Sequence, residues 1–163
     1  TRFNLSKIEI DLEKTNLSRM IEQVCNEFIP VLMQKGLTWN LAITPDIFIM
    51  CDTDKILRVF DNLIRNAINY SYNDTEIKCS LTLEDNVVYF KIKNKGKTIA
   101  PEKLKRIFEQ FFRLDSSRGT ATGGAGLGLA IAKEIVELHG GTITAESRDE
   151  SIAFQVALPL SEP

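Results

Sequence analysis

Hydrophobic and polar residues change period several times along the chain, and each change marks an element. Residues 7–13 alternate, with Ile8, Ile10 and Leu12 on one side, which predicts a short strand. From Asn16 the spacing lengthens to three and four. Leu17, Met20, Ile21, Val24, Phe28 and Leu32 form one helical face, capped by Asn16, kinked by Pro30 and ended by Gly36. Strands are predicted over 37–43 and 47–50, parted by a Pro45-Asp46 turn, and Asp52 then caps a second helix over 54–70. Residues 75–83 and 87–93 read as a hairpin around Glu84-Asp85-Asn86. A short helix is predicted over 101–111, followed by a stretch, 115–126, almost without large apolar side chains. A third long helix over 127–138 is broken by Gly140-Gly141, and two strands over 142–147 and 152–158 close the chain. Early and late strands with helices between them predict an α/β (α+β) two-layer sandwich. Its sheet is mixed and mostly antiparallel, with three helices covering one face.

Composition narrows the function. The chain has 163 residues, the size of one domain, and 20 Lys+Arg against 22 Asp+Glu give a net charge of −2. That leaves no basic excess to neutralise phosphates, so a nucleic-acid binder is not expected. No apolar run approaches the ~20 residues of a membrane span, so this stretch is not expected to be membrane-embedded. Cys25, Cys51 and Cys79 form no Cys-x-x-Cys pair and read as free thiols of a reducing compartment. His139 is the single histidine; between a helix and two glycines it reads as a C-terminal cap, favourable to the helix dipole when protonated.

Two features carry candidate chemistry. On the second helix, Ile56, Leu57, Phe60, Ile64 and Ala67 supply a core face. Asn62, Asn66, Asn69 and Tyr70 recur at three to four residues and form one stripe beside it. Asparagine is a poor helix former, so the stripe is either a solvated face or a set of neutral amide oxygens for Mg²⁺ and phosphates. The second feature is Gly123-Gly124-Ala125-Gly126-Leu127-Gly128-Leu129, which runs directly into the third helix. Glycines there let backbone N–H groups approach an anion at a helix N-terminus. No Gly-Lys-[Ser/Thr] follows and no strand precedes, which excludes the Walker A loop and the dinucleotide fingerprint. A flexible hinge is the other reading.

Taken in order with two intervening stretches, Asn94-Lys95-Gly96-Lys97-Thr98-Ile99 and Ile107-Phe108-Glu109-Gln110-Phe111-Phe112-Arg113, these features resemble one family. It is the catalytic ATP-binding domain of sensor histidine kinases, which shares the Bergerat fold with gyrase, Hsp90 and MutL. Asp61-Asn62-Leu63-Ile64-Arg65-Asn66-Ala67 resembles the N box, 94–99 the first glycine box, 108–113 the F box and 124–129 the second glycine box. His139-Gly140-Gly141 resembles the closing glycine motif. Within the family the chain looks most similar to the VanS-type kinases of vancomycin resistance, over essentially its whole length.

The resemblance implies roles. Asn66 would hold Mg²⁺ against the triphosphate, and Asn62 would stand where water-hydrolysing relatives carry a Glu base. An amide cannot take a proton from water, which suits a kinase. Tyr70 and Asn69 would line the nucleotide. Asn94 would face the adenine amine, beside Gly96, Thr98 and Ile99. Residues 115–126 would form a lid, with Gly124, Gly126, Leu127, Gly128 and Leu129 over the phosphates and Arg113 and Arg118 near the γ-phosphate. ATP and Mg²⁺ are the implied cofactors. The implied partners are a histidine-bearing dimerisation domain and a VanR-like response regulator. The whole of 1–163 would be one catalytic domain, monomeric when isolated, on the cytoplasmic side of a longer membrane-anchored kinase. A non-catalytic nucleotide-sensing or docking module of the same fold is the alternative. His139 would not be the phosphorylated histidine, which the family carries on a separate helical domain. Three positions depart from the family pattern. Asn94 replaces the usual Asp, with Thr98 for a second glycine; Asn69 replaces a Lys; and Ala153 stands where a Thr often helps hold the adenine.

Overall fold

The computed structural model describes residues 9–114 and 128–160. In chain order the elements are β1 (Glu13–Asn16), α1 (Leu17–Glu27), α2 (Ile29–Gln34), β2 (Thr38–Ile43), β3 (Phe48–Cys51) and α3 (Thr53–Tyr70). Then follow β4 (Glu76–Glu84), β5 (Val87–Lys95), α4 (Pro101–Leu104), α5 (Gly128–Leu138), β6 (Thr142–Arg148) and β7 (Ser151–Pro159). A five-stranded sheet has the order β2-β4-β5-β7-β6, and β1 and β3 form a separate antiparallel pair. Within the five, only the β2–β4 pairing is parallel.

Strand alternation divides the sheet into a packed and an open face. On β5, Val88, Phe90, Ile92 and Asn94 are buried while Lys91, Lys93 and Lys95 are exposed. On β7, Ile152, Phe154, Val156 and Leu158 continue the packed layer. The long helix α3 lays Ile56, Val59, Phe60, Leu63, Ile64, Ala67 and Ile68 into that layer, and the Phe60 and Phe90 rings meet at 4.7 Å. Leu57, expected in the core, is exposed, because a 3.6-residue period carries Val59 and Leu63 inward instead.

Local signals fix the ends. The Asn16 side chain accepts from Arg19 N–H at 3.0 Å and the Asp52 side chain from Lys55 N–H at 3.2 Å, each capping its helix as expected. Both tight hairpin turns, Asp85-Asn86 and Asp149-Glu150, have positive φ at each central residue, the twist that matches paired strands.

Three expectations shift. The strand expected over 7–13 is found at Glu13–Asn16, the residues that pair with β3; residues 9–12 join no strand, residues 7 and 8 lie outside the described residues, and Asp11 N–H donates to the Asp52 carboxylate at 3.0 Å. The first helix breaks at Phe28 instead of kinking. Pro30 starts α2, where its missing N–H costs no hydrogen bond. The helix expected over 101–111 is regular only to Leu104. Beyond it, Arg106, Ile107, Glu109 and Phe112 each bond three residues back, closing turns rather than a helix.

Candidate functional site

The α3 stripe forms as expected: Asn62, Asn66, Asn69 and Tyr70 are all half-buried, beside the packed face. From Asn62 to Tyr70 it runs about 12 Å at 1.5 Å per residue. What stands at its two ends defines the site.

At the Asn62 end lies the start of α5. Asn62 Nδ2 donates to the Gly128 carbonyl at 3.0 Å, and a Cβ on Gly128 would come 3.7 Å from Asn62 Cγ. Gly128 begins the eleven-residue helix α5, so the positive potential of its first turn stands beside the Asn62 amide. Leu129, half-buried, follows in that turn.

At the Tyr70 end lies the end of β5. A Cβ on Gly96 would collide with the Tyr70 carbonyl oxygen and lie 3.1 Å from Asn94 Nδ2. Only a glycine lets the two backbones come this close. Asn94 is 2% exposed, and its Nδ2 has no hydrogen-bond partner among the described residues. A buried orphan amide is costly, and a ligand polar group would relieve it.

The sequence-predicted residues therefore fall into two groups joined by α3: Asn62 with Gly128, and Tyr70 with Asn94 and Gly96. Asn66 stands between them. Asn69 turns its carbonyl to Lys35 Nζ at 3.4 Å, and the same ammonium takes the carbonyls of Ile68 at 2.7 Å and Ser71 at 3.0 Å. Lys35 thereby neutralises the C-terminal end of α3, a role no local pattern announces. Ile99 is buried in the core, and the Thr98 hydroxyl accepts from Glu150 N–H at 2.8 Å. Arg113 is half-buried after the turns at 105–111. Arg118, Gly124, Gly126, Leu127 and the lid expected over 115–126 lie outside the described residues, as does 1–8.

Two placements correct the sequence reading. Ala153 pairs with Lys93 on the open face of the sheet; the residue in register with Asn94 on the packed face is Ile152. The neighbour of Asn94 is therefore apolar, and it offers no hydrogen bond. His139 does more than end α5: its Nε2 accepts Asp52 N–H at 3.0 Å and its Nδ1 lies 2.8 Å from the Ile135 carbonyl. With Nε2 as the acceptor, Nδ1 is the nitrogen that donates to Ile135, and the ring ties the end of α5 to the cap of α3.

The chemistry open to this arrangement follows from its donors. No group of three or more His, Cys, Asp and Glu that could hold a metal exists among the described residues. A cation here would rest on amide and ligand oxygens, as Mg²⁺ does when it keeps its waters and bridges phosphates. The thiols stand apart from the site: Cys25, Cys51 and Cys79 are free and buried. Burial pushes the Cys51 thiol up, and the Cys25 contact and burial do the same to Cys79, which leaves both unreactive.

No helix among the described residues is long and apolar enough to cross a membrane. Residues 51–162 match the family described as histidine kinase-, DNA gyrase B-, and HSP90-like ATPase. The chain is 53% identical over 159 residues to the sensor protein VanSC of Enterococcus gallinarum, covering 98% of this chain and 44% of that protein. Against the sensor protein VanS of Enterococcus faecium it is 43% identical over 159 residues, 98% of this chain and 41% of the relative. It thus spans less than half the length of either. Among solved structures, the catalytic domain of histidine kinase ThkA superposes with a TM-score of 0.83 at 25% identity, covering 93% of this chain and 97% of that one. With both ends of the α3 stripe and the matched segment in agreement, the chain belongs to the histidine kinase-, DNA gyrase B-, and HSP90-like ATPase family.

Proposed function

We propose that this chain is the catalytic domain of a membrane-anchored sensor histidine kinase: it binds ATP with Mg²⁺ and delivers the γ-phosphoryl to a histidine on a separate dimerisation domain. A response regulator of the VanR kind then takes the phosphoryl onto an aspartate. The observation that carries this reading is the α3 stripe, closed at one end by a helix N-terminus and at the other by a buried orphan amide beside Gly96.

The nucleotide lies along α3 in this reading. Its base sits at the Tyr70 end, where Asn94 meets the exocyclic edge and Gly96 leaves room for it. Its phosphates lie at the Asn62 end, where the first turn of α5 offers N–H groups and Asn66 offers an amide oxygen to the metal. When bound, Mg²⁺ supplies charge neutralisation of the phosphates and a fixed geometry for the leaving group. Asn62 carries no base for water, so the phosphoryl group is kept for the histidine. Arg113, with Arg118 and the 115–126 segment, is the candidate to meet the γ-phosphate. Phosphoryl transfer asks mainly for positioning and electrostatics, and these are the properties of the site.

The test is a calorimetric titration with a non-hydrolysable ATP analogue, with and without Mg²⁺. Metal-dependent binding is expected; no binding under either condition contradicts the reading.

A further inference from the structure

Three hydrogen bonds connect the segment after β5 to the β6–β7 hairpin. Gly96 N–H donates to the Glu150 carbonyl at 3.1 Å. Glu150 N–H donates to the Thr98 hydroxyl at 2.8 Å, and Ile99 N–H donates to Ser147 Oγ at 2.9 Å. Ser147 passes its own proton on to the Ser151 carbonyl at 2.8 Å. The hairpin is also tied to the residues just beyond α3. Tyr72 OH donates to Glu150 Oε1 at 2.8 Å, and Tyr72 N–H donates to the Lys95 carbonyl at 2.8 Å.

Glu150 is the hub of this arrangement. Its carbonyl, its N–H and its carboxylate each hold a different residue, Gly96 and Thr98 of the segment after β5 and Tyr72 just beyond α3. Its backbone sits at φ 56°, in the hairpin turn, with its carbonyl and N–H both engaged by the 96–99 segment. Without these bonds the segment is a loop bearing no side chain but Ile99 in the core. It is also the segment that must hold Gly96 against the Tyr70 carbonyl and keep Asn94 facing the stripe.

We infer that Tyr72, Thr98 and Glu150 are positioning residues for the nucleotide base, a brace that sets the gap between β5 and the end of α3. This rests on the nucleotide-binding reading above. It also assigns Thr98 a different task from the ligand contact the sequence suggests: its hydroxyl is engaged with the hairpin. A threonine in place of a glycine thus gains a function the glycine could not have, because the lone pair that receives Glu150 N–H comes with the side chain.

The test uses Thr98→Val, which keeps the shape and loses the acceptor; Thr98→Ser, which restores it; and Tyr72→Phe, which removes the phenol from an exposed ring. The wild type is first titrated with Mg²⁺-ATP. Thr98→Val and Tyr72→Phe are expected to bind about three- to tenfold more weakly, the size of one lost hydrogen bond. Thr98→Ser returns to the wild-type value. In transfer assays to a histidine-bearing domain, KM for ATP rises by the same factor while kcat holds, since the brace sets the base and not the phosphates. Wild-type binding matched by both Thr98→Val and Tyr72→Phe overturns the brace alone. A kcat loss without a KM change does the same. A wild type that binds no nucleotide overturns the function reading and the brace with it.

Discussion

Asn62 Nδ2 donates to the Gly128 carbonyl at 3.0 Å, a bond spanning 66 residues that joins the middle of α3 to the first residue of α5. The amide at this position therefore has a structural task in addition to the one its motif implies. It holds the helix start that would meet the phosphates.

Replacing Asn62 tests that joint. Asn62→Ala removes the donor and should cost about 0.5–1.5 kcal/mol, or roughly 1–6 °C in melting temperature for a chain of this size. Asn62→Asp should be worse at pH 7, because it sets a carboxylate against a carbonyl oxygen. Melting curves of the three proteins decide it; an Asp variant as stable as wild type contradicts the joint.

Asn66 lies one turn further along the half-buried stripe. Asn66→Ala should abolish Mg²⁺-dependent nucleotide binding while moving the melting temperature by little. A Mg²⁺-ATP titration unchanged by the substitution would remove the metal assignment.

How much of this was legible follows the range of each interaction. The caps at Asn16 and Asp52 and the Asp85-Asn86 turn depend on residues two or three positions away, so the local pattern carries them. The stripe on α3 is equally local, and the order of motifs along the chain is enough to identify the family. The contacts that join elements were not legible. His139 meets Asp52 across 87 residues, Glu150 meets Thr98 across 52, and Lys35 reaches Ile68 across 33. The misplaced first strand has the same origin, since alternation in 7–13 is a property of the chain and pairing is a property of β3. Ala153 shows the finest case: one residue of register decides which face a side chain takes, and only the pairing with β5 sets it.

Asp52 makes the chain's stability depend on acid. Asp11 N–H on its carboxylate, ahead of the Lys55 N–H and ammonium, holds its pKa below the usual carboxylate value. A lowered folded-state pKa contributes stability that is present above the unfolded value of ~3.9 and is lost as pH falls through the folded value. Asp52→Ala should therefore cost about 1–2 kcal/mol at pH 7, and the deficit should narrow below pH 4. Urea unfolding of both proteins at pH 7 and pH 3 checks it; a deficit constant with pH contradicts the linkage.

Asn94 should read the base. A carboxylate there would accept from the adenine amine with charge assistance, worth ~1.5–3 kcal/mol against ~0.5–1.5 for a neutral amide, less a desolvation cost. Asn94→Asp also removes the orphan Nδ2. A net gain of about 0.5–1.5 kcal/mol, or roughly 2- to 12-fold tighter ATP, is expected, with discrimination against GTP sharpened because guanine presents an acceptor at that edge. Calorimetry with both nucleotides checks it. Weaker ATP binding with an unaltered ATP/GTP ratio would mean that Asn94 does not meet the base.

The most direct measurement of the central claim is phosphoryl transfer in trans. The chain is incubated with γ-labelled ATP and Mg²⁺, alone and beside a separately made histidine-bearing dimerisation domain. Both ring nitrogens of His139 are engaged, one with Asp52 N–H and the other with the Ile135 carbonyl, so the chain alone should take up no label. The added domain should acquire acid-labile, alkali-stable label, slowly and only with Mg²⁺. Label retained on His139, or a histidine domain left unlabelled while the chain binds Mg²⁺-ATP, would contradict the account.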